Sequence, residues 1–298
     1  MQPGIMVDPK KNGRYLTFDL DLTCTDRLIE GLKTLQSLAD GDQVIVGIGH
    51  IVLAYLKKEI PGFRPFPVYP NALVDAPIVP AAVWIWLRDD DQGNLVRLAH
   101  KIKTQLKPVF ILKNEVPAFM HHEQGTTDNR DLSGYIDGTE NPQGDDAKAA
   151  AVLSGLGAGL DGSTFMAVQQ WEHDLDKLAG LMARHETDAI IGRRLSDNEQ
   201  IDDRPASSHV SRTDQESFEP EAHIFRNSMP WSIGERSGLM FSSFVNRQAA
   251  FNVQWRRMVG VEDGITDGLF KFTRPISSTC FWMPPMKDGK IDLSFLIG

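Results

Sequence analysis

Asp137 stands between glycines in Gly134-Tyr135-Ile136-Asp137-Gly138-Thr139-Glu140-Asn141-Pro142. There the backbone can approach a ligand closely, and a sequestered carboxylate can accept a proton. Asp before Gly is also ordinary turn chemistry, the side chain bonding its own backbone. Glu140 follows three residues on. The two carboxylates could act as acid and base in a hydrolase, or Glu140 could simply be a solvated turn residue. Eight histidines are present, none in an HExxH or other zinc spacing, so a metal site built from several of them is not expected. A single axial histidine to a haem iron needs no spacing partner, and that chemistry stays open. His209, in Ser207-Ser208-His209-Val210-Ser211, lies in a long polar segment; it could be such a ligand or a hydrogen-bonded loop histidine.

Three arginines could handle anionic groups. Arg226 follows two apolar residues in His223-Ile224-Phe225-Arg226-Asn227-Ser228-Met229-Pro230-Trp231, which suits the end of a strand pointing into a cavity or a surface ion pair. Arg193 and Arg194 follow Ala189-Ile190-Ile191-Gly192, a place to grip a carboxylate through two parallel hydrogen bonds or merely to close a helix.

These residues must be carried by a framework of 298 residues, long enough to bury a core without disulfides. Gly13–Leu20 alternates as a strand, Thr25–Leu38 carries leucines at helical spacing, Val44–Ile51 and Ala82–Leu87 read as buried strands, Leu95–Leu106 as a helix and Val109–Leu112 as a strand. The second half echoes this order, with strands over Ser163–Gln169, Gly238–Val245 and Thr279–Met283 and helices over Asp174–Arg184 and Arg247–Met258. The expectation is an α+β fold of two ferredoxin-like βαββαβ halves, antiparallel sheets with helices on their outer faces. Asn141–Gly162, rich in Gly, Asp and Ala, marks the boundary, giving halves over 1–145 and 146–298. Glu115–Pro142 and Gly192–Trp231 fall outside the repeat and read as long functional loops.

The formal net charge of -9 leaves no basic footprint for nucleic acid. Cys24 and Cys280 stand far apart without a CxxC spacing, which fits a reducing compartment. The N-terminal segment lacks an apolar signal core and the longest strongly apolar run, Ala81–Leu87, is too short for a membrane span, so a cytoplasmic location without membrane contact is expected.

The glycine-flanked Asp137 motif, then Ile191-Gly192-Arg193, the His209 segment, Arg226-Asn227-Ser228-Met229-Pro230 and Thr266-Asp267-Gly268-Leu269-Phe270 occur in an order and at separations that resemble the dye-decolorizing peroxidases, bacterial B class, through nearly the whole chain. That family has a duplicated ferredoxin-like fold, in agreement with the repeat. The resemblance implies a haem peroxidase that reduces hydrogen peroxide and oxidises dyes, phenols or similar small one-electron donors. It implies one haem b per chain, His209 as axial ligand to its iron, Asp267 accepting the other ring N–H, and Arg193 on a haem propionate, with Gly138 and Ser228 beside the cofactor. Asp137 and Arg226 would do the peroxide chemistry, Arg226 keeping the pKa of Asp137 low, with best activity in mild acid. A homo-oligomer, dimer or higher, is the expected assembly, and the C-terminal Asp292–Gly298 carries no long tail of the kind relatives use for encapsulation. The competing readings are a haem-trafficking protein without turnover and the two-carboxylate hydrolase. Trp171, Trp231, Trp255, Trp282 and Tyr135 could relay electrons to the surface or be core anchors.

Overall fold

Buried and half-buried residues alternate along strand β1 (Asn12–Leu20), which puts one row of side chains on each face of a sheet. Helix α1 (Leu28–Leu38), strand β2 (Val44–Gly49), helix α2 (His50–Leu56), strand β3 (Val83–Asp89), helix α3 (Gln92–Leu106) and strand β4 (Phe110–Phe119) complete the first half. Sequence chemistry sets α3: the Asp91 carboxylate caps it, accepting from Asn94 N at 2.9 Å, and Leu95, Ala99, Ile102 and Leu106 form its buried stripe. The second half contains helix α4 (Gly144–Ala151), strand β5 (Thr164–His173), helices α5 (Leu175–Ala183), α6 (Thr187–Ile191) and α7 (His209–Thr213), strands β6 (Phe225–Arg226), β7 (Met229–Ile233) and β8 (Arg236–Val245), helix α8 (Gln248–Met258) and strand β9 (Thr273–Met283). The computed structural model describes residues 1–298.

The fold is mixed α and β, and strands β1 to β9 form one continuous antiparallel sheet instead of the separate sheets expected from the repeat, with a small two-stranded ribbon, Met286–Lys287 against Lys290–Ile291, apart from it. The order is β5-β9-β2-β3-β1-β4-β7-β8, with β6 beside β8, and β8 pairs back onto β5, so eight strands close a barrel. Closure satisfies edge hydrogen bonds that two separate sheets would leave open. The seams between halves are short: β4 meets β7 at Ala118 and Trp231, and β2 meets β9 at Ile48–Trp282 and Gly49–Phe281. Every barrel strand contributes to one apolar cluster, which includes Tyr15, Trp84, Trp86, Met229, Trp231 and Phe281, and which fills the interior. The opposite faces carry a larger cluster shared with helices α1, α3 and α8.

Several elements differ from the sequence reading: helix α2 begins at His50, inside the expected strand Val44–Ile51, and α7 lies in an expected loop. Strand β4 runs on to Phe119, into a segment expected to be a loop, and α4 occupies the expected linker. The second half gains its missing strand from β6 and β7, which pair with successive stretches of the same edge of β8. Asn227, Ser228 and Pro230 break the alternation there, and Pro230 brings no N–H to the ladder, so the strand leaves little pattern in the sequence.

Candidate active site

A cavity of about 990 Å³ opens between the outer face of β5 and β8, helices α7 and α8, and the loop Asp131–Pro142. Ile191, Val210, Phe241, Phe251, Trp255 and Leu269 give it broad apolar walls, while Asp137, Arg193, His209 and Arg226 supply its chemistry.

On one side, the Ser208 hydroxyl caps α7 by accepting from Ser211 N, so His209 begins the helix with its ring fixed. Its Nδ1 lies 2.8 Å from Asp267 Oδ2. Asp267 is buried, and its other oxygen accepts from Leu269 N at 2.9 Å, capping the turn Gly268–Lys271. A carboxylate held at both oxygens fixes Nδ1 as the N–H nitrogen, which leaves Nε2 with its lone pair for a ligand. Gly192, at φ +94, ends α6 so close to this segment that a Cβ would lie 3.0 Å from both Ser208 Oγ and Val210 Cβ. Arg193 follows, pairing with Glu140 and donating from Nη1 to Asn198 O at 2.7 Å.

The facing side is built from a loop and a strand end. Asp137 N donates to Asn129 O at 2.8 Å, and Gly138 turns the chain at φ +85, where a Cβ would press on Asn141 at 3.1 Å. Arg226 ends β6, opposite Ser243. Its guanidinium makes no ion pair, and its Nε is buried without a partner. A cationic group left so is costly unless something anionic or polar joins it. Burial raises the Asp137 carboxyl above its usual range; Arg226 pulls it back, Asp131 adds to the rise, and Ser228 and His209 lower it. The expectation that Arg226 keeps this group low is therefore corrected, because removal from water outweighs one cation.

The C-terminal family profile of the Dyp-type peroxidases matches residues 128–288. The chain belongs to the Dyp-type peroxidase family. A dye-decolorizing peroxidase of Mycobacterium tuberculosis is 29% identical over 217 residues, covering 70% of this chain and 62% of that protein's own length. Among solved structures, a dyp-type peroxidase protein of Shewanella oneidensis superposes with a TM-score of 0.82 at 25% identity, over 99% of this chain and 96% of the other. A DypB variant of Rhodococcus jostii RHA1, solved in complex with heme, has a TM-score of 0.79 at 23% identity over 94% of this chain and 95% of its own.

In this member of the family, Asp137, Gly138, Arg193, His209 and Arg226 all line the one cavity. Asp267 and Ser228 are buried just behind it, each touching a residue that does. Glu140 is engaged by Arg193, so the two-carboxylate arrangement does not form as an independent pair. Trp171, Trp231, Trp255, Trp282 and Tyr135 are all buried, and Tyr135, Trp171 and Trp255 line the cavity itself. Sequence reasoning missed Asn141, although the motif contains it. Its side chain accepts from Arg226 N at 2.9 Å and donates to Arg226 O at 2.7 Å, so one amide stands in for a neighbouring strand and joins the Asp137 loop to β6. An Asn before Pro in a turn motif was the available signal.

The residues present fit a haem. An apolar slot is lined by His209, whose Nε2 has no hydrogen-bond partner, and by Arg226, whose buried Nε has none either, with Arg193 at its side to meet an acidic substituent.

Proposed function

We propose that the protein is a haem peroxidase of the bacterial B class, which reduces hydrogen peroxide and oxidises small one-electron donors such as dyes or phenols. The observation that carries this reading is the Asp267-anchored His209 on one wall of the cavity with Asp137 and an unpartnered Arg226 on the other. Haem b, one per chain, is the cofactor: His209 would hold its iron through Nε2, Arg193 would exchange Glu140 for a propionate, and Gly138 and Ser228 would lie beside it. When bound, the haem supplies the redox centre at which the O–O bond is reduced and to which donors give electrons. Asp267 increases the anionic character of the His209 ring, which favours electron-poor iron. Asp137, once ionised, takes a proton from hydrogen peroxide and returns it to the departing oxygen, which leaves as water. Arg226 offsets the negative charge that develops as the bond breaks. A haem store or carrier needs the axial imidazole but has no use for this acid and guanidinium pair.

The same reading takes each half, 1–145 and 146–298, as a ferredoxin-like unit; the orders β2-β3-β1-β4 and β7-β8-β5-β9, each antiparallel, support it. No helix is long and apolar enough to cross a membrane, and a cytoplasmic homo-oligomer is the proposed working form.

The test is an absorption spectrum of the haem-loaded protein before and after one equivalent of peroxide, followed by donor turnover across pH. A spectral change within the mixing time and multiple turnovers are expected. Because Asp137 acts only when ionised and its carboxyl is raised, the rate should fall on the acid side at a pH above the ordinary carboxylate value of about 4. Haem binding without turnover would leave a store or carrier, and a rate that rises steadily into the alkaline range would remove Asp137 as the base.

A further inference from the structure

Behind the Asp137 loop lies a second titratable cluster that the peroxide chemistry does not use. Asp131, which begins the turn leading to Asp137, places Oδ1 2.8 Å from His173 Nε2, and its Oδ2 accepts from Ser133 N at 2.9 Å. His173 ends β5, and its Nδ1 lies 2.6 Å from the hydroxyl of Thr273, its cross-strand partner on β9. All three line the cavity wall.

The hydrogen-bond partners assign the protons once the Thr273 hydroxyl points to Glu172 O. Thr273 has one hydroxyl hydrogen, and it donates that to Glu172 O at 3.0 Å. Toward His173 it can only accept, so Nδ1 must carry a hydrogen. An ionised Asp131 also only accepts, so Nε2 must carry one too. Oδ2 of Asp131 accepts from Ser133 N, and its carboxyl is brought down to about 2 although burial alone would raise it. No other cation competes for the pair. Glu172, the neighbouring carboxylate on β5, is taken up by Arg236 and Arg274, and Phe272 presents its ring to His173 edge-on at 5.8 Å between centroids.

We infer that His173 is a positioning residue for the peroxide side of the site: an imidazolium clamped between Asp131 and Thr273, it anchors the loop that carries Asp137 and neutralises the negative charge nearest to it. Both effects follow from the connections. Asp131 N donates to Tyr135 O and Gly134 N donates to Asp131 O, so Asp131 is the fixed end of the turn that presents Asp137. The charges that Asp137 feels come from Arg226 on β6, Asp131 in its own loop and His209 on α7, and Asp137 in turn acts on the Tyr15 hydroxyl of β1. Asp131 works against ionisation of Asp137, and a positive charge on His173 beside Asp131 opposes that effect.

This rests on the peroxidase reading for its kinetic arm alone, and the spectroscopic arm stands without it. Ring-nitrogen NMR of protein labelled with 15N-histidine is recorded at neutral pH, in the chain expressed without haem and in the haem-loaded protein kept diamagnetic as the ferrous carbonyl complex. His173, assigned with His173→Gln, should show both ring nitrogens protonated, and a neutral single tautomer would overturn the inference even if the protein proves to be an active peroxidase. In the kinetic arm, His173→Gln should move the acid limb of the peroxide reaction upward by about half a pH unit or more, because Asp131 is left unbalanced beside Asp137. Asp131→Asn combined with His173→Gln removes both charges and should bring the limb back. An unmoved limb in the single variant, or a double variant as displaced as the single, would reduce His173 to packing and overturn the charge account.

Discussion

The two walls of the cavity achieve their geometry by different means. The His209 wall is local and rigid: a five-residue helix capped by Ser208 presents the ring, and one buried carboxylate, bonded at both oxygens, fixes it. The Asp137 wall is assembled from remote pieces, a loop after β4 and a strand end from the second half, tied by Asn141, Asn129 and the Asp131–His173 clamp. A ligand atom has to sit at one point, which a short capped helix can provide. A base and a cation must instead be placed relative to each other, and that takes a network spanning both halves.

The comparison can be tested from its strongest consequence downward. His209→Ala removes the one nitrogen of the rigid wall that is free to bind, so haem affinity should fall by about 100-fold or more in a titration followed at the Soret band, with Asp267→Asn losing about 10- to 100-fold. Unchanged affinity would place the ligand elsewhere. Arg226→Ala leaves the haem wall intact and should slow the stopped-flow reaction with peroxide by about 100- to 1000-fold at nearly normal haem content. An equal rate would mean that the assembled wall needs no cation. Asn141→Ala cuts the tie and leaves both reactive groups in place, so it should cost about 1–2 kcal/mol in denaturant unfolding and slow the peroxide reaction several-fold. If stability falls and the peroxide rate does not, Asn141 holds the fold without placing Arg226.

Most of the framework was legible because its cause is local. Alternation along Asn12–Leu20 and the leucine spacing of Leu28–Leu38 follow from residues close in sequence, and they recur in the second half. Strand β6–β7 was not legible, since Asn227, Ser228 and Pro230 carry no alternation and only pairing with β8 makes the segment extended. Of the site, the residue types and their order pointed to Asp137, Arg193, His209, Arg226 and Asp267 through a family likeness. Spacing alone left each of them with an ordinary alternative. His173 was one histidine among eight.

What the chain determined by itself were the quantities that depend on near neighbours: turns, caps, helical stripes and the glycines that let Asp137 and Arg193 sit where they do. Only the tertiary structure decided the quantities that depend on distant charges and on access to water. Burial, and not the nearby arginine, sets the direction of the Asp137 carboxyl, and a histidine 42 residues from Asp131 becomes its counter-ion. Electrostatic energies grow as water is excluded, and which groups lose their water is settled when the Asp137 loop, β6, α7 and α8 come together over the outer face of the barrel.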